Sequence, residues 1–481
     1  MSKKIGGVVA LLGLCALSLL LLNCGSSSSR PTGALYVLTQ GSTGVGNNVS
    51  TYAVNLGSGS LSLVNSNAST CPTAATQDNP EPCGLPLDIL LDPTGATAFV
   101  LNQGAPACPA CAPGGNSPIA PSIYPYTVGS DGSLSAPGTA VNWTTYPDSA
   151  VAMTRDAAGQ FLFVIDHGSY PLPTTCPALG TAATSADQAT TFAGCPSISV
   201  FAMPKPPSTT LTFVSQGSTY QSSFFLSKTP SALSAITFTP PGGVAQELLF
   251  VANNYDLCTV ACSPQTAPND NTVSVYSVSS AGVLSEQTFS PYAVAAVNPI
   301  SVLAVYTNPA GQNAGGLFVY VGNQDPNGGH LYPFEVCTVV GNANCTQEQV
   351  TESLMSPLTT CPQLSCQIPP TSAGQSPVAM VVDPTNSFLY VVAQGTSQVF
   401  GFRINAGAGT LTALSPASFP TGSQPGSLAL HPSVNNTGQF LYVSNTRSSN
   451  IMGFALSTTS GSMSSPITVN TLSGPTGMAA R

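Results

Sequence analysis

Residues 387–414 read SFLYVVAQGTSQVFGFRINAGAGTLTAL: an apolar run, a short polar gap, an alternating run, a Gly-containing turn and a second short run. Similar stretches start at Gln439 (QFLYVSNTRSSNIMGFALSTTSGSMSS) and at Glu247 (ELLFVANN, followed by NTVSVYSVSSAGVLSEQ). Short runs of Val, Leu, Phe and Tyr that alternate with Ser, Thr and Asn and end at Gly or Pro are typical of β-strands. The recurrence therefore predicts an all-β repeat protein.

The apolar run of this repeat occurs seven times and always ends in Val. These ends are Val37, Val100, Val164, Val251, Val321, Val391 and Val443. A second apolar strand and a turn precede the last six copies, as in LDILLDPTG from Leu87 and VAMVVDPTN from Val378. An alternating strand, a Gly turn and a fourth strand follow most copies. Each unit is thus predicted to be a four-stranded antiparallel meander.

One such meander would leave both of its faces exposed, whereas sheets stacked radially in a β-propeller cover one another. The first copy, from residue 33, lacks its preceding strand, and the chain ends with a lone first strand, GPTGMAAR from Gly474. The C-terminal strand is therefore expected to complete the first blade and close the ring. We predict one seven-bladed β-propeller of four-stranded blades over residues 33–481. A β-sandwich of unrelated strands is the alternative, but it does not explain this offset.

Composition agrees with this class and excludes one function. The chain has 481 residues, 42% of them hydrophobic and only 6% charged, with 45 Gly and 43 Pro. The formal net charge is −9. Nucleic-acid binding requires clusters of Lys and Arg that neutralise phosphates, and the few basic residues form no such cluster. A nucleic-acid partner is therefore not expected.

Residues 1–24 have the pattern of a processing signal: two lysines, an apolar span over residues 5–22, and Cys24. The pattern resembles a bacterial lipoprotein signal, in which Cys24 becomes the lipidated first residue, although Asn23 departs from the small residue usual there. An uncleaved membrane anchor and a soluble secreted product are the alternatives. Residues 25–32 would form a flexible tether. The body is predicted to be exported to the cell envelope, in the periplasm or at the cell surface, and held to the membrane by the lipid.

The cysteines support export. Apart from Cys15 and Cys24, the 14 cysteines fall into six neighbouring pairs, and an even number in an exported chain indicates disulfides. The predicted pairs are Cys71 with Cys83, Cys108 with Cys111, Cys176 with Cys195, Cys258 with Cys262, Cys337 with Cys345, and Cys361 with Cys366. The CPAC sequence at Cys108 could indicate a redox site, but its Pro/Gly-rich loop lacks the helix that lowers a thiol pKa. No His lies at zinc-ligand spacing from any pair.

Three motifs carry a resemblance to a known family. The LYV(A/S)N core, the DP(T/S)G turn before it and the VxVYxxxxxxGxLS tail after it resemble the bacterial YVTN-type, lactonase-like seven-bladed β-propellers over nearly the whole chain after residue 33. The resemblance implies the fold; these motifs form the skeleton of blades and say little about activity. Enzymatic members carry His or Arg-His near the start of axial strands. The corresponding residues here are Leu87, Val151, Ser234, Leu303, Val378, Gly426 and Thr476, which argues against hydrolysis of phosphorylated sugar lactones.

The longest insertions, over residues 103–120, 166–196 and 253–270, are all predicted to join second to third strands on one face of the ring. Loops on a rigid scaffold commonly form binding surfaces. Polar residues at the ends of the second strands would form a discontinuous ring beside them, and Arg447 lies in one of the shorter loops. The ring residues are Asn102, Asp166, Asn253, Asn323 and Asn445. We expect them to contact a ligand, although Asn also caps turns well.

Asp88 is an ionisable residue on a predicted axial strand. The residues aligned with it are Ala152, Ala235, Ala304, Ala379, Ser427 and Gly477, all small, as expected where seven strands converge. Asp88 would bind a polar substrate or a divalent cation near the top of the channel, or it would simply be hydrated or capped there. No other metal or cofactor is predicted.

The candidates for a catalytic base are the histidines, of which the chain has three. His431 replaces the Asp of a DP turn, which indicates a capping role, and His330 begins a third strand. His167 follows Asp166 at the end of a second strand and heads a long insertion. Adjacent residues of a strand point in opposite directions, so Asp166 and His167 do not automatically form a pair. His167 is therefore the predicted catalytic base, if the protein is an enzyme.

Two function classes follow. The first is an exported, lipid-anchored and monomeric binding module that presents its disulfide-stapled loop face to a protein, peptide or glycan. The second is a hydrolase of an unphosphorylated lactone, using His167 or a cation at Asp88. The sequence favours the first, because no catalytic motif such as a nucleophile elbow is present.

Overall fold

The computed structural model describes most of the chain from Gly33 to Arg481. Residues outside the description are 1–32, 41–46, 71–84, 105–119, 143–149, 169–194, 206–207, 217–222, 226–228, 240–243, 255–270, 288–289, 295–297, 308–315, 325–327, 337–354, 358–369, 432–438 and 465. Every regular element of the described residues is a β-strand. No helix long and apolar enough to cross a membrane occurs among them.

The strands form seven antiparallel sheets, which we number as blades 1 to 7. Blade 1 contains β1 (Gly33–Thr39), β2 (Asn48–Val54) and β3 (Leu61–Ser69); blade 2 contains β4 (Pro86–Leu91), β5 (Thr97–Asn102), β6 (Ser122–Thr127) and β7 (Val141–Asn142); blade 3 contains β8 (Ala150–Arg155), β9 (Phe161–Asp166), β10 (Ser197–Ala202), β11 (Thr212–Phe213) and β12 (Ser223–Phe225). Blade 4 contains β13 (Pro230–Phe238), β14 (Gln246–Asn253), β15 (Thr272–Val278), β16 (Leu284–Glu286) and β17 (Tyr292–Ala293); blade 5 contains β18 (Pro299–Tyr306), β19 (Leu317–Asn323), β20 (His330–Val336), β21 (Met355–Pro357) and β22 (Thr371–Ser372). Blade 6 contains β23 (Pro377–Val382), β24 (Phe388–Ala393), β25 (Gln398–Ile404) and β26 (Leu411–Pro420); blade 7 contains β27 (Pro425–His431), β28 (Gln439–Asn445), β29 (Asn450–Leu456) and β30 (Ile467–Asn470); β31 (Pro475–Ala480) follows.

The last strand closes the ring as the sequence predicts. β31 pairs with β1, with Tyr36 opposite Ala479, so blade 1 has the order β3-β2-β1-β31. The inner strands contact one another in the circular order β4, β8, β13, β18, β23, β27, β31 and back to β4. The seven-bladed propeller with four-stranded blades is confirmed.

The hydrophobic core is divided among the interfaces between neighbouring blades. Seven clusters of buried residues are formed by the described residues, and each joins the facing sheets of two adjacent blades. The central strands β1, β5, β9, β14, β19, β24 and β28 are almost wholly buried, because both of their faces are covered. This explains why the second strand of each repeat reads as a continuous apolar run.

A hydrogen bond between blades explains the most regular feature of the repeat. The tyrosine of the LYV core donates its hydroxyl to the carbonyl of a glycine in an outer turn of the next blade. The pairs are Tyr36 with Gly132 (2.9 Å), Tyr320 with Gly409 (2.8 Å), Tyr390 with Gly461 (2.7 Å) and Tyr442 with Gly59 (2.9 Å). These glycines have φ between 65° and 85°, where a side chain would be strained. The Tyr of one blade and the Gly of the next therefore depend on each other in forming this bond.

The DP turn has an equally local cause. Asp383 accepts hydrogen bonds from the backbone N–H groups of Ser387 (2.8 Å) and Phe388 (2.7 Å), which ties the turn to the start of β24. Asp92 and Asp156 bond the equivalent turns of blades 2 and 3. His431 occupies this position in blade 7 and is buried. This end of the ring, which we call the lower face, is thus built of tight turns.

The predicted covalent features fall almost entirely outside the described residues. Cys195 is buried and takes part in a disulfide. The remaining cysteines, including Cys24, are not among the described residues. The six pairings and the lipidation of Cys24 therefore stay predictions.

Candidate functional site: a cavity on the propeller axis

All seven inner strands begin with the same irregularity. Six of them start with a proline and β8 starts with Ala150. In each blade the first residue of the inner strand pairs with the last residue of the second strand, and the register then shifts. Proline suits the first residue of a strand because it has no N–H to donate to the ladder. A β-bulge bends the strand and re-aims the residues that follow it.

These re-aimed residues enclose a cavity of about 380 Å³ on the axis. It lies near the upper face, which is the end at which the inner strands begin. Its lining comes from all seven inner strands and consists of Leu87, Asp88, Val151, Ala152, Met153, Ser231, Ala232, Leu233, Ile300, Ser301, Val302, Val378, Ala379, Met380, Gly426, Ser427, Leu428, Thr476 and Gly477. Most of the lining residues are apolar, but the surface that they expose to the cavity is mostly polar. The polar side chains of the lining are one carboxylate and a few hydroxyls.

Asp88 is the only ionisable side chain of this lining. Burial raises the pKa of Asp88 from 3.8 to about 6, and hydrogen bonds from the backbone N–H groups of Ile89 (2.8 Å) and Met153 oppose the shift. Met153 belongs to the next blade, so the carboxylate is held between two inner strands. Gly477 lets the inner strand of blade 1 approach closely, because a Cβ there would lie 3.2 Å from the Asp88 Cα. A carboxylate with this pKa is mostly ionised at neutral pH and still basic enough to accept a proton.

Most hydroxyls of the cavity connect blades. Ser231 donates to the carbonyl of Pro299 (2.7 Å), and Ser301 donates to that of Pro377 (2.6 Å). Thr476 makes a longer bond of 3.4 Å to the carbonyl of Pro86. For the Ser427 hydroxyl, the described part of the chain provides no such acceptor. Ser427 is therefore the hydroxyl that can donate to a bound molecule.

The structure corrects the alignment of two inner strands. β13 begins at Pro230 and β18 at Pro299, earlier than the sequence analysis placed them. Ala232 and Ser301, rather than Ala235 and Ala304, thus lie level with Asp88. By the same shift, Ser231 and Ile300 replace Ser234 and Leu303 as the residues next to the strand starts. No described residue at these seven positions is His or Arg, so the cavity carries no cation.

The predicted polar ring lies at the upper ends of the second strands but inside the blades. Asn102, Asp166, Asn253 and Asn323 are each at most 1% exposed. Two of them donate hydrogen bonds: Asn102 to the carbonyl of Thr70 (3.1 Å), and Asn253 to the hydroxyls of Thr272 and Ser274 (3.1 and 3.0 Å). The other two accept them: Asp166 from the Ser197 hydroxyl (3.5 Å), and Asn323 from the backbone N–H of His330 (3.1 Å). None of the four lines the cavity. Asp166, Asn253 and Asn323 thus bond within their own blades, whereas Asn102 of blade 2 bonds to the residue after β3 of blade 1. A binding role for the four stays a prediction.

The remaining predicted site residues also lie away from the cavity lining. His167 is partly buried just beyond β9, and its Nδ1 lies 2.6 Å from the carbonyl oxygen of Gly168, so the N–H is on Nδ1. Arg447 is exposed in the turn after β28. His330 starts β20 and packs near Tyr332. The structure therefore brings Asp88 to the axis and leaves His167 one strand outward.

No group of three or more His, Cys, Asp or Glu residues that could hold a metal ion occurs among the described residues. A divalent cation at Asp88 would have this single carboxylate as its charged ligand. The residues that sequence reasoning missed are Ser231 and Ser301, together with Met153. For Ser231 and Ser301 the signal was the proline that starts the strand, one residue earlier at Pro230 and two residues earlier at Pro299. β8 starts at Ala150, so Met153 had no such signal.

Comparison with known proteins supports the same architecture. The family model "Lactonase, 7-bladed beta-propeller" matches residues 368–480. A periplasmic gluconolactonase from Pseudomonas aeruginosa is similar in structure, with 15% identity, 93% of this chain and 99% of that chain covered, and a TM-score of 0.55. A protein from Lactobacillus plantarum has 14% identity, 94% and 99% coverage, and a TM-score of 0.56. Comparison with curated proteins gives no match. The chain is a seven-bladed β-propeller, and its C-terminal part, residues 368–480, is similar to this lactonase family, as its motifs indicate.

Proposed function

We propose that the protein hydrolyses small unphosphorylated lactones in the axial cavity, with Asp88 as the general base. The observation that carries this proposal is a single carboxylate, with a pKa of about 6, among the described residues that line the cavity. A base with a pKa close to the working pH is the one that general base catalysis favours. The match to a lactonase family model and the likeness to a gluconolactonase are consistent with it.

The chemistry requires a base, a water molecule and a hydrogen-bond donor. Asp88 would take a proton from water as the water oxygen attacks the lactone carbonyl carbon. The negative charge that develops on the carbonyl oxygen needs a donor, and the Ser427 hydroxyl is available for this. Collapse of the intermediate breaks the ring C–O bond, and the proton from Asp88 passes to the leaving alkoxide. The product is a hydroxy acid.

Size and charge define the substrate class. A volume of about 380 Å³ lies at the small end of ligand sites, which commonly measure about 300–1,000 Å³. A phosphorylated lactone would place its phosphate beside the Asp88 carboxylate with no cation in the lining to pair with it. Like charges at short range in a partly enclosed site are strongly unfavourable. Neutral lactones are therefore the expected substrates.

The charge of the product favours its release from the cavity. The hydroxy acid loses its carboxyl proton to solvent at neutral pH, which leaves a second carboxylate in the cavity beside Asp88, and the two anions repel each other. The lining has no cation that would retain the product. Charge repulsion thus provides a reason for the hydroxy acid to leave.

The proposal is tested with the purified full-length protein and a panel of neutral and phosphorylated lactones. We expect opening of a neutral lactone above the spontaneous rate, and at least a hundredfold loss of kcat/KM in Asp88→Asn. His167→Ala is the matched control and should retain activity, because its side chain lies outside the cavity lining. Loss of activity in His167→Ala with activity retained in Asp88→Asn would transfer the role of base to His167. Absence of turnover on every lactone would reject the function.

A binding role for the loop face has no support from the described residues, since its long insertions lie outside them. The polar residues that were expected beneath those loops are buried, and each forms a hydrogen bond with a neighbouring group of the protein. We therefore place the axial cavity ahead of the loop face.

A further inference from the structure

Exposed apolar side chains are unevenly distributed around the ring. On β3, Leu63 is 53% exposed and Val64 is 44% exposed; on β30, Ile467 is 40% exposed, and Leu472 beyond it is 72% exposed. β3 is the outer strand of blade 1 and β30 is the outer strand of blade 7. These blades are neighbours at the point where the ring closes. Four of the seven large exposed hydrophobic residues in the described part of the chain therefore lie on two adjacent blades.

Two of these side chains project toward the boundary between blades 7 and 1, and we call the outer part of this boundary the groove. Leu63 is paired with Tyr52, and Ile467 lies two strands outward from Tyr442 in direct register. Directly paired residues project from the same face of a sheet, and Tyr52 and Tyr442 both pack in the core between blades 7 and 1. Leu63 and Ile467 thus extend that core to the surface. The partly buried residues between them and the core are Leu61 and Val469.

The strands on this side of the molecule carry no charge. No strand of blade 1 and neither outer strand of blade 7 contains Asp, Glu, Lys, Arg or His, although the chain has a net charge of −9. The nearest charged residues in sequence are Arg447, in the turn after β28, and Arg481, after β31. An uncharged apolar rim is suited to the boundary of a lipid bilayer, and the acidic remainder is repelled by anionic lipids.

The chain enters the fold beside this groove. β1 begins at Gly33, nine residues after Cys24 and eleven after the apolar span over residues 5–22. Nine extended residues reach at most about 30 Å. If Cys24 is lipidated or the apolar span is retained, rather than the chain being released as a soluble product, the start of blade 1 is held within this distance of the membrane. We propose that the groove between blades 7 and 1 rests against the lipid bilayer and contacts its acyl chains.

A single tryptophan serves as the probe. The chain has one Trp, Trp143, which is replaced by Phe so that a new Trp can be placed at Leu63. The full-length protein is reconstituted in phosphatidylcholine vesicles with or without dibrominated acyl chains, which quench Trp only on contact. Val244→Trp is the matched control, because Val244 is 79% exposed on blade 4, opposite the seam between blades 7 and 1.

The proposal expects quenching of the Leu63→Trp emission by brominated lipid to be at least threefold stronger than that of Val244→Trp. Equal quenching of the two probes, or none in either, overturns it. A further outcome is a blue-shifted Leu63→Trp emission that depends on protein concentration and is not quenched by brominated lipid. This result also overturns the proposal, and it assigns the groove to a second copy of this chain.

Discussion

Replacing Asp88 by Asn tests the physical basis of the proposed site through stability as well as activity. Folding raises the pKa of Asp88 from 3.8 to about 6, so between these values the folded chain binds a proton that the unfolded chain does not. The free energy of unfolding of the wild type must then decrease as the pH rises through this window. For a shift from 3.8 to about 6, the Asp88 contribution lost between pH 4.5 and pH 8 is about 2 kcal/mol.

Asn cannot titrate, so Asp88→Asn lacks this contribution at every pH. Urea unfolding gives the difference between the free energies of unfolding of the two proteins at pH 4.5 and again at pH 8. The contributions of the other carboxylates are the same in both proteins and cancel in each difference. We expect this difference to change by about 2 kcal/mol in favour of the variant on going to pH 8. The variant is thus gaining relative stability at the pH at which it has lost activity. A difference that is the same at both pH values would refute a raised pKa, and with it the argument for Asp88 as base.

Three further predictions concern the ring. Tyr390→Phe removes the hydrogen bond to the Gly461 carbonyl between blades 6 and 7 and should lower the free energy of urea unfolding by about 1 kcal/mol; an unchanged value would show that this bond adds nothing. Asp383→Ala leaves the backbone N–H of Phe388 without its acceptor and should cost about 1–3 kcal/mol in the same assay, more than the tyrosine change. Removing residues 475–481 deletes the closing strand β31 and should abolish cooperative thermal unfolding measured by circular dichroism; an intact transition would contradict closure through blade 1.

The fold could be predicted because its causes are local and repeated. The hydrogen bond between Tyr390 and Gly461 has equivalents at four interfaces in all, and the Asp383 turn has equivalents in three blades in all. The same residue types therefore recur at the same spacing in the sequence. The first repeat lacks its inner strand and the chain ends with a single inner strand, so the two ends of the chain had to form one blade together. Because the same blade structure is repeated, the fold could be recognised from the sequence pattern.

The site was less predictable because it depends on register and on the convergence of seven strands. Asp88 stood out as the exception among small residues. Ala232 and Ser301, which lie level with it, were misaligned because β13 and β18 have 9 and 8 residues, whereas the other inner strands have 6 or 7, and periodicity alone does not reveal this extra length. His167 attracted attention as a histidine beside Asp166. The direction of its side chain and its separation from the axis follow from tertiary packing, which the sequence does not display.

The most direct test of the account is the pH dependence of kcat/KM for a neutral lactone, with the spontaneous rate subtracted at each pH. The account predicts that kcat/KM rises with pH, levels above an apparent pKa of about 6, and is lost in Asp88→Asn at every pH. A profile without an inflection near that pH, or one that Asp88→Asn reproduces, would contradict catalysis by the carboxylate on the axis.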